Sequence, residues 1–134
     1  MATVNTNIAR SFSDLDLNFN IHPIKKDINL YKGDMAIINS IKNLILTNHY
    51  ERPFRPDIGS NVRRLLFENM DTITATSLED EIRQTIVNYE PRASVHTVTA
   101  QADFENNGFN VSMEFFVINR TDPISITFFL ERIR

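Results

Sequence analysis

Apolar and polar residues alternate in the first patterned segment of the chain. Every second position there is apolar: Leu15, Leu17, Phe19 and Ile21. A period of two is typical of a half-buried β-strand. His22-Pro23 ends it, because proline lacks an N–H donor and restricts the residue before it. Residues 1–13 carry no sustained period, so they are predicted to form a flexible N-terminal arm.

Three later segments have the period of a helix, with apolar residues three and four positions apart. The first begins at Asp34, a residue type that favours helix N-caps, and ends near residues 47–49. The second is short and follows Gly59-Ser60. The third is predicted to begin at a capping box, Thr76-Ser77-Leu78-Glu79, and to end at Glu90-Pro91.

The C-terminal part of the chain predicts three strands. Residues 94–104 favour a strand whose apolar phase changes between Val95 and Val98, which indicates a bulge. Asn106-Asn107-Gly108 is typical of a hairpin turn, and a strictly alternating strand follows it. The order predicts an α+β fold: an N-terminal strand and three helices packed on a sheet that a C-terminal three-stranded antiparallel meander completes. Residues 14–134 are predicted to form a single domain.

The central strand of the meander carries apolar residues on both faces, as Phe115 and Phe116 show. This pattern favours a fully buried central strand. The alternative is that the outer face, or an open sheet edge, receives another chain by strand addition.

Composition narrows the function classes. The 134 residues include no cysteine and three glycines, and the formal net charge is −3. Disulfides, thiolate metal sites and cysteine nucleophiles are excluded, and a basic nucleic-acid footprint is not expected. His22, His49 and His96 do not fall in a metal-ligand spacing, so no metal or cofactor is predicted. No apolar run is long enough to span a membrane.

Carboxylates supply the one enzymatic alternative that stays open. A glycosidase needs two acids across a cleft, and the candidates are Asp57 or Glu68 paired with Glu90. The consecutive acids 79–81 have a simpler explanation. The predicted helix start places them in its first turn, where negative charge stabilises the helix dipole.

Two stretches are candidates for binding another protein. The first is a proline-stiffened loop and the short helix after it, with the side chains Arg52, Phe54, Arg55, Arg63 and Arg64. It is either a solvated connector or a platform, since arginine and aromatic residues are favoured interface anchors. The second is Glu90-Pro91-Arg92, in which the two charges either face different neighbours or pair with each other.

Three motifs in order resemble the GPW/gene-25-like family of T4-type phage baseplate wedge proteins. They are Leu17-Asn18-Phe19-Asn20-Ile21-His22-Pro23, the segment from Phe54-Arg55-Pro56-Asp57-Ile58-Gly59-Ser60 to Glu68, and Asn88-Tyr89-Glu90-Pro91-Arg92. The resemblance implies a non-enzymatic virion component of a contractile-tail baseplate, made in the bacterial host cytoplasm. The related subunit of type VI secretion baseplates is the alternative of the same kind.

The resemblance also implies partners. Glu90, Pro91 and Arg92 are expected to dock on the helical core bundle of the wedge scaffold proteins, and alanine at Glu90 or Arg92 is expected to leave the fold intact. The tail sheath protein is expected to add a strand to the sheet and so begin polymerisation. The edge residues for this step are Ile124, Ile126, Phe128 and Leu130. Inner baseplate or tail-tube proteins are further expected partners, and neither nucleic acid nor membrane is.

Overall fold

The computed structural model describes residues 12–16, 18–21 and 23–132, and the fold is α+β as predicted. Most of the predicted N-terminal arm, residues 1–11, lies outside the described residues, as do Leu17 and His22. The chain divides into two compact units, residues 1–37 and 38–134. The prediction of a single domain over 14–134 stays a prediction.

The first unit contains a short antiparallel ribbon. Strand β1 (Ser13–Leu15) pairs with β2 (Leu30–Lys32) in a two-stranded sheet of their own. The predicted extension of β1 to Ile21 is wrong, because the chain turns at Asp16. The buried Asp16 carboxylate accepts hydrogen bonds from the Asn18 amide at 2.8 Å and the Asn20 side chain at 3.1 Å. Asp16, Asn18 and Asn20, which alternate with apolar residues as on the exposed face of a strand, therefore form a hydrogen-bonded Asx turn.

Helix α1 spans Asp34–Leu46 and α2 spans Val62–Leu65, as the apolar spacing predicts. Helix α3 spans Thr72–Tyr89, so its end is as predicted and its beginning is not. The N-cap is Asp71, whose carboxylate accepts the Thr74 amide at 2.7 Å. Thr76 lies inside the helix and its hydroxyl donates to the Thr72 carbonyl oxygen. The prediction of a capping box at Thr76 is therefore wrong.

The second sheet is the predicted antiparallel meander. Strands β3 (Ala93–Asp103), β4 (Gly108–Val117) and β5 (Pro123–Glu131) lie in the order β3-β4-β5. A register shift between Val95 and Thr97 leaves His96 as the bulged residue, so the predicted bulge is confirmed. Asn107 has a φ of +53° in the turn before β4, as a hairpin at this position requires.

The core lies on one face of this sheet. The inward row of β4 is Phe109, Val111, Met113, Phe115 and Val117, all buried. Helix α3 packs against β3 and buries Leu78, Ile82 and Ile86. On the other face of β4, Asn110, Ser112 and Glu114 are exposed. The prediction of a fully buried central strand is therefore wrong, because this face remains in contact with solvent.

Helices in the described part of the chain lack the combination of length and apolar character that a membrane span requires.

Candidate functional site

The connection between α1 and α2 forms a closed loop, called here the platform loop, residues 50–58. Its ends are held by backbone hydrogen bonds. The Tyr50 amide donates to the Pro56 carbonyl oxygen at 2.9 Å, and the Ser60 amide donates to the Thr47 carbonyl oxygen at 2.8 Å. The buried Ser60 hydroxyl also donates to the Ile45 carbonyl oxygen at 2.7 Å. The loop is therefore fastened to the last turn of α1.

Gly59 makes this closure possible. Its φ is +149°, a conformation that side chains disfavour. A Cβ atom here would lie 2.6 Å from the carbonyl carbon of Asn48, where the two segments form a parallel bridge between Asn48 and Ser60. A glycine is required at this close approach of two backbones.

The platform loop presents large side chains to solvent. Phe54 is 95% exposed and Tyr50 is 85% exposed. Arg55 pairs with Asp57 at 3.3 Å on the surface. The hydrogen bond from Arg55 lowers the pKa of the Asp57 carboxyl, and the same contact raises the pKa of Arg55.

The two arginines of α2, Arg63 and Arg64, are exposed beside this loop. They border an open groove of about 330 Å³ that Tyr50 and Phe67 also line. The predicted platform residues are thus all on the surface. Of the set, Arg63 and Arg64 share this groove, whereas Arg52, Phe54 and Arg55 do not line it.

The charges of Glu90-Pro91-Arg92 pair with each other. Arg92 Nε donates to Glu90 Oε1 at 2.6 Å, and Arg92 Nη2 donates to Glu90 Oε2 at 2.9 Å. The Ser40 hydroxyl of α1 also donates to Glu90 Oε2. Glu90 is only 2% exposed. Its carboxylate is therefore enclosed by residues of its own chain.

Burial alone would raise the pKa of Glu90, but the hydrogen bonds from Arg92 and Ser40 outweigh it and hold that pKa below its ordinary value. An ionised, buried and paired carboxylate stabilises the turn only while both partners are present. The expectation that alanine at Glu90 leaves the fold intact does not agree with this geometry.

Backbone hydrogen bonds join the same turn to the sheet. The Ile118 amide, just after β4, donates to the Arg92 carbonyl oxygen at 3.0 Å, and the Ala93 amide donates to the Glu90 carbonyl oxygen at 3.2 Å. Pro91 is exposed at the tip of the turn. The motif therefore fixes the end of α3 against β3 and β4, and Pro91 is its outward-facing member.

One hydrogen bond connects the two candidate stretches. The Tyr89 hydroxyl donates to the Asp57 carbonyl oxygen at 2.5 Å, and His49 Nδ1 lies 3.1 Å from the same oxygen. Sequence reasoning missed both contacts. Tyr89 enters the sequence prediction only as a member of the motif Asn88-Tyr89-Glu90-Pro91-Arg92, although a phenol beside a charged turn is also a hydrogen-bond donor.

Two of the three acids named for a glycosidase, Asp57 and Glu90, lie in surroundings that do not suit a general acid. A general acid of that class needs a raised pKa, whereas the pKa values of Asp57 and Glu90 are both lowered. Residues 79–81 lie well inside α3, so the prediction that they occupy its first turn is wrong. Glu81 instead accepts the Asn61 amide at 2.8 Å.

No group of three or more His, Asp or Glu side chains in described positions is arranged to hold a metal ion.

Among the residues that the structure describes, strand β5 pairs with β4 alone and so forms one edge of the sheet. Its inward row is Ile124, Ile126, Phe128 and Leu130, of which Leu130 is buried and the others are half-buried. Next to its C-terminal end is a groove of about 260 Å³ lined by α1, α2 and β5, including Leu46, Arg63 and Leu130. The predicted edge residues thus lie on a strand whose apolar row is incompletely covered.

The direction of the β5 amides follows from the ladder. The Ala100 amide donates to the Glu79 carboxylate at 2.7 Å, so it points away from β4. Hydrogen-bonded and non-hydrogen-bonded pairs alternate along an antiparallel ladder. Val111 lies opposite Ala100, so its backbone N–H and C=O point to Phe128 on β5. Thr127, the neighbour of Phe128, directs its N–H to the open edge.

Comparisons with known proteins agree on one family. The family model described as "Baseplate wedge protein gp25" matches residues 32–118. Baseplate wedge protein gp25 of Enterobacteria phage T4 is 33% identical over 118 residues, covering 88% of this chain and 89% of that protein.

Solved structures share the fold. The anti-feeding prophage baseplate contains a chain with a TM-score of 0.72 and 22% identity, covering 84% of this chain and 90% of that one. A putative tail lysozyme from Geobacter sulfurreducens gives a TM-score of 0.68 and 23% identity, covering 73% of this chain and 89% of that one. The postcontracted pyocin R2 baseplate gives 0.54 and 18% identity, covering 89% and 99%.

Proposed function

Since the chain belongs to the baseplate wedge protein gp25 family and is a structural baseplate component of a contractile phage tail or a related system, we propose that it docks on the core bundle of the wedge scaffold proteins and templates the first ring of the tail sheath. The observation that carries this proposal is the open β5 edge with its half-buried apolar row. Such an edge is ready to accept a strand from another chain.

Docking uses the turn Glu90-Pro91-Arg92 and the platform loop as one surface, because Tyr89 ties them together. The roles within the turn differ. Glu90 is buried and positions Arg92, whereas Pro91 is exposed and contacts the scaffold. Phe54 and the loop arginines extend this surface, since a rigid exposed aromatic ring is a good interface anchor.

Sheath initiation uses β5. An added strand completes hydrogen bonds with outward N–H and C=O groups such as those of Thr127, and its own apolar row covers Ile124, Ile126 and Phe128. The groove beside Leu130 accepts a side chain at one end of that strand.

The chain acts without catalysis in this proposal. The phage T4 relative is a baseplate wedge protein, and the likeness to a putative tail lysozyme, at 23% identity, concerns the fold alone. The lowered pKa values of Asp57 and Glu90 argue against a general acid. Release of fragments from peptidoglycan by the purified protein, lost on replacing Glu68 or Glu90, would contradict this part. The protein is made in the host cytoplasm and resides in the virion baseplate.

A proline at Thr127 tests sheath initiation. Thr127→Pro removes an outward N–H and leaves the β4 ladder intact, which edge strands tolerate, and Thr127→Ala removes the same side chain but keeps the N–H. Baseplates carrying each variant are mixed with purified sheath protein from the same genome and viewed by electron microscopy. We expect sheaths on Thr127→Ala baseplates and not on Thr127→Pro baseplates. Normal sheaths on Thr127→Pro baseplates would overturn initiation at β5.

Docking is tested by a charge at the tip of the turn. Pro91→Glu places a charge at an exposed position outside the core, and Pro23→Glu makes the same change at an exposed proline in the other unit. Each is co-expressed with the wedge scaffold proteins, and co-purification is measured. We expect only Pro91→Glu to lose the scaffold. Equal recovery of both variants would show that this turn does not dock.

A further inference from the structure

The two edges of the three-stranded sheet are built differently. Strand β5 pairs with β4 from Gly108↔Glu131 to Phe116↔Pro123 without a register shift. Strand β3, the other edge, is interrupted by the bulge at His96 and is packed against α3. Bulges and covering helices are two ways in which proteins prevent pairing at a sheet edge.

A third feature that hinders pairing at β3 is a hydrogen bond donated by a backbone amide of this strand. The Ala100 amide, which points away from β4, donates to Glu79 Oε1 of α3 at 2.7 Å. By the same alternation, the outward amides after the bulge belong to Val98, Ala100 and Ala102. Ala100 is the middle one of these. Among the described residues, no side-chain hydrogen bond to a β5 backbone amide corresponds to it.

We infer that Glu79 is a gatekeeper that closes the β3 edge, so that this sheet is extended only at β5. Its carboxylate occupies the donor that an incoming strand would need in the middle of β3, and it places a negative charge where the carbonyl oxygens of that strand would approach. A subunit with two open edges could be joined on both sides by copies of itself or by other strands. Closing one edge gives the sheet a single direction of growth.

The position of Glu79 within α3 does not by itself favour an acidic residue. The residue lies in the interior of α3, eight residues after the N-cap Asp71, where the helix dipole no longer favours negative charge. The neighbouring acid Asp80 is exposed on the same helix and supplies a matched control.

The test uses this chain alone, so its outcome does not depend on sheath initiation. Glu79→Leu keeps helix propensity and length but has no acceptor, Glu79→Gln keeps an acceptor oxygen without charge, and Asp80→Leu is the control. Amide exchange at Ala100 is followed by NMR. Contact between copies is mapped by paramagnetic broadening in a mixture of spin-labelled and ¹⁵N-labelled protein.

We expect Ala100 exchange to accelerate about tenfold in Glu79→Leu, as for one lost hydrogen bond, and intermolecular broadening to appear along residues 97–101 in that variant. Asp80→Leu should behave as the wild-type chain does, and Glu79→Gln, which keeps the acceptor but not the charge, should give a smaller effect than Glu79→Leu. Unchanged exchange at Ala100 in Glu79→Leu, or broadening confined to β5, would overturn the inference. If Glu79→Leu is poorly folded, amide exchange at Ala100 and intermolecular broadening are measured on Glu79→Ala instead, with the same expected results.

Discussion

The Tyr89 hydroxyl donates a hydrogen bond of 2.5 Å to the Asp57 carbonyl oxygen, across 32 residues of sequence. It fixes the platform loop to the end of α3, one residue before the buried Glu90. Two surface features that are separate in sequence therefore have a fixed relative position. A partner that contacts both needs little ordering of this chain on binding.

Removal of that hydroxyl should loosen the platform loop without disturbing the core. For Tyr89→Phe we expect a loss of about 1 kcal/mol in the free energy of unfolding and faster amide exchange at Ile58, whose amide donates to the Arg55 carbonyl oxygen. Tyr50→Phe is the control, because the Tyr50 side chain is 85% exposed. Denaturant unfolding and exchange measure the two effects. Identical loop exchange in both variants would contradict the anchoring role.

Breaking the buried pair at the end of α3 should be costly. Glu90→Ala removes the buried carboxylate that accepts hydrogen bonds from the Arg92 guanidinium and the Ser40 hydroxyl, and we expect a loss of about 3 kcal/mol in unfolding free energy. Glu68→Ala, at an exposed position, should change stability by less than about 0.5 kcal/mol. Both are measured by guanidinium unfolding. Equal stability of the two variants would mean that Glu90 does not brace this turn.

Stability should also depend on pH through Glu90. Its pKa in the folded chain lies below the ordinary value of 4.5, because Arg92 and Ser40 favour the ionised form. The stabilisation is therefore present above pH 4.5 and lost as the pH falls through the folded pKa. Thermal unfolding between neutral and acid pH should show a smaller decline in Glu90→Gln than in the wild-type chain. An equal decrease of the unfolding temperature in both proteins would exclude Glu90 as a source of the acid sensitivity.

Phe54 should matter for assembly and not for folding. Its side chain is 95% exposed on a closed loop, so Phe54→Ser should leave the unfolding free energy within about 0.5 kcal/mol of wild type. As an interface anchor worth about 2 kcal/mol, it should weaken scaffold binding roughly thirtyfold. Phe104→Ser, at a 73% exposed aromatic in the β3–β4 turn, should leave binding unchanged. Binding of the scaffold proteins is measured by titration. Equal affinities for the two variants would remove Phe54 from the interface.

Sequence patterns predicted the elements whose signals are local and regular. The apolar stripe of α1, the bulge before Val98 and the turn at Asn107 each depend on residues close together in the chain. The capping box failed because several β-branched and polar residues precede Leu78, so that more than one helix start was chemically reasonable. The β1 strand was overextended because Asn18 and Asn20 suit both an exposed strand face and an Asx turn.

The candidate site was predicted as two stretches and not as one surface. Sequence left open whether Glu90 and Arg92 pair with each other, because that depends on burial at the end of α3 and on Ser40 of another helix. The Tyr89–Asp57 contact joins segments that only the tertiary fold brings together. The difference between the sheet edges depends on a helix side chain reaching a strand, which no local pattern reports.

The uninterrupted pairing of β5 with β4 has a mechanical consequence. All nine residue pairs, from Gly108↔Glu131 to Phe116↔Pro123, run side by side. A force pulling β5 along its own axis is a shear load, which the ladder hydrogen bonds resist together, whereas a force perpendicular to the strand would open them one after another. Strand β5 therefore resists separation from β4 best when the force acts along its own axis.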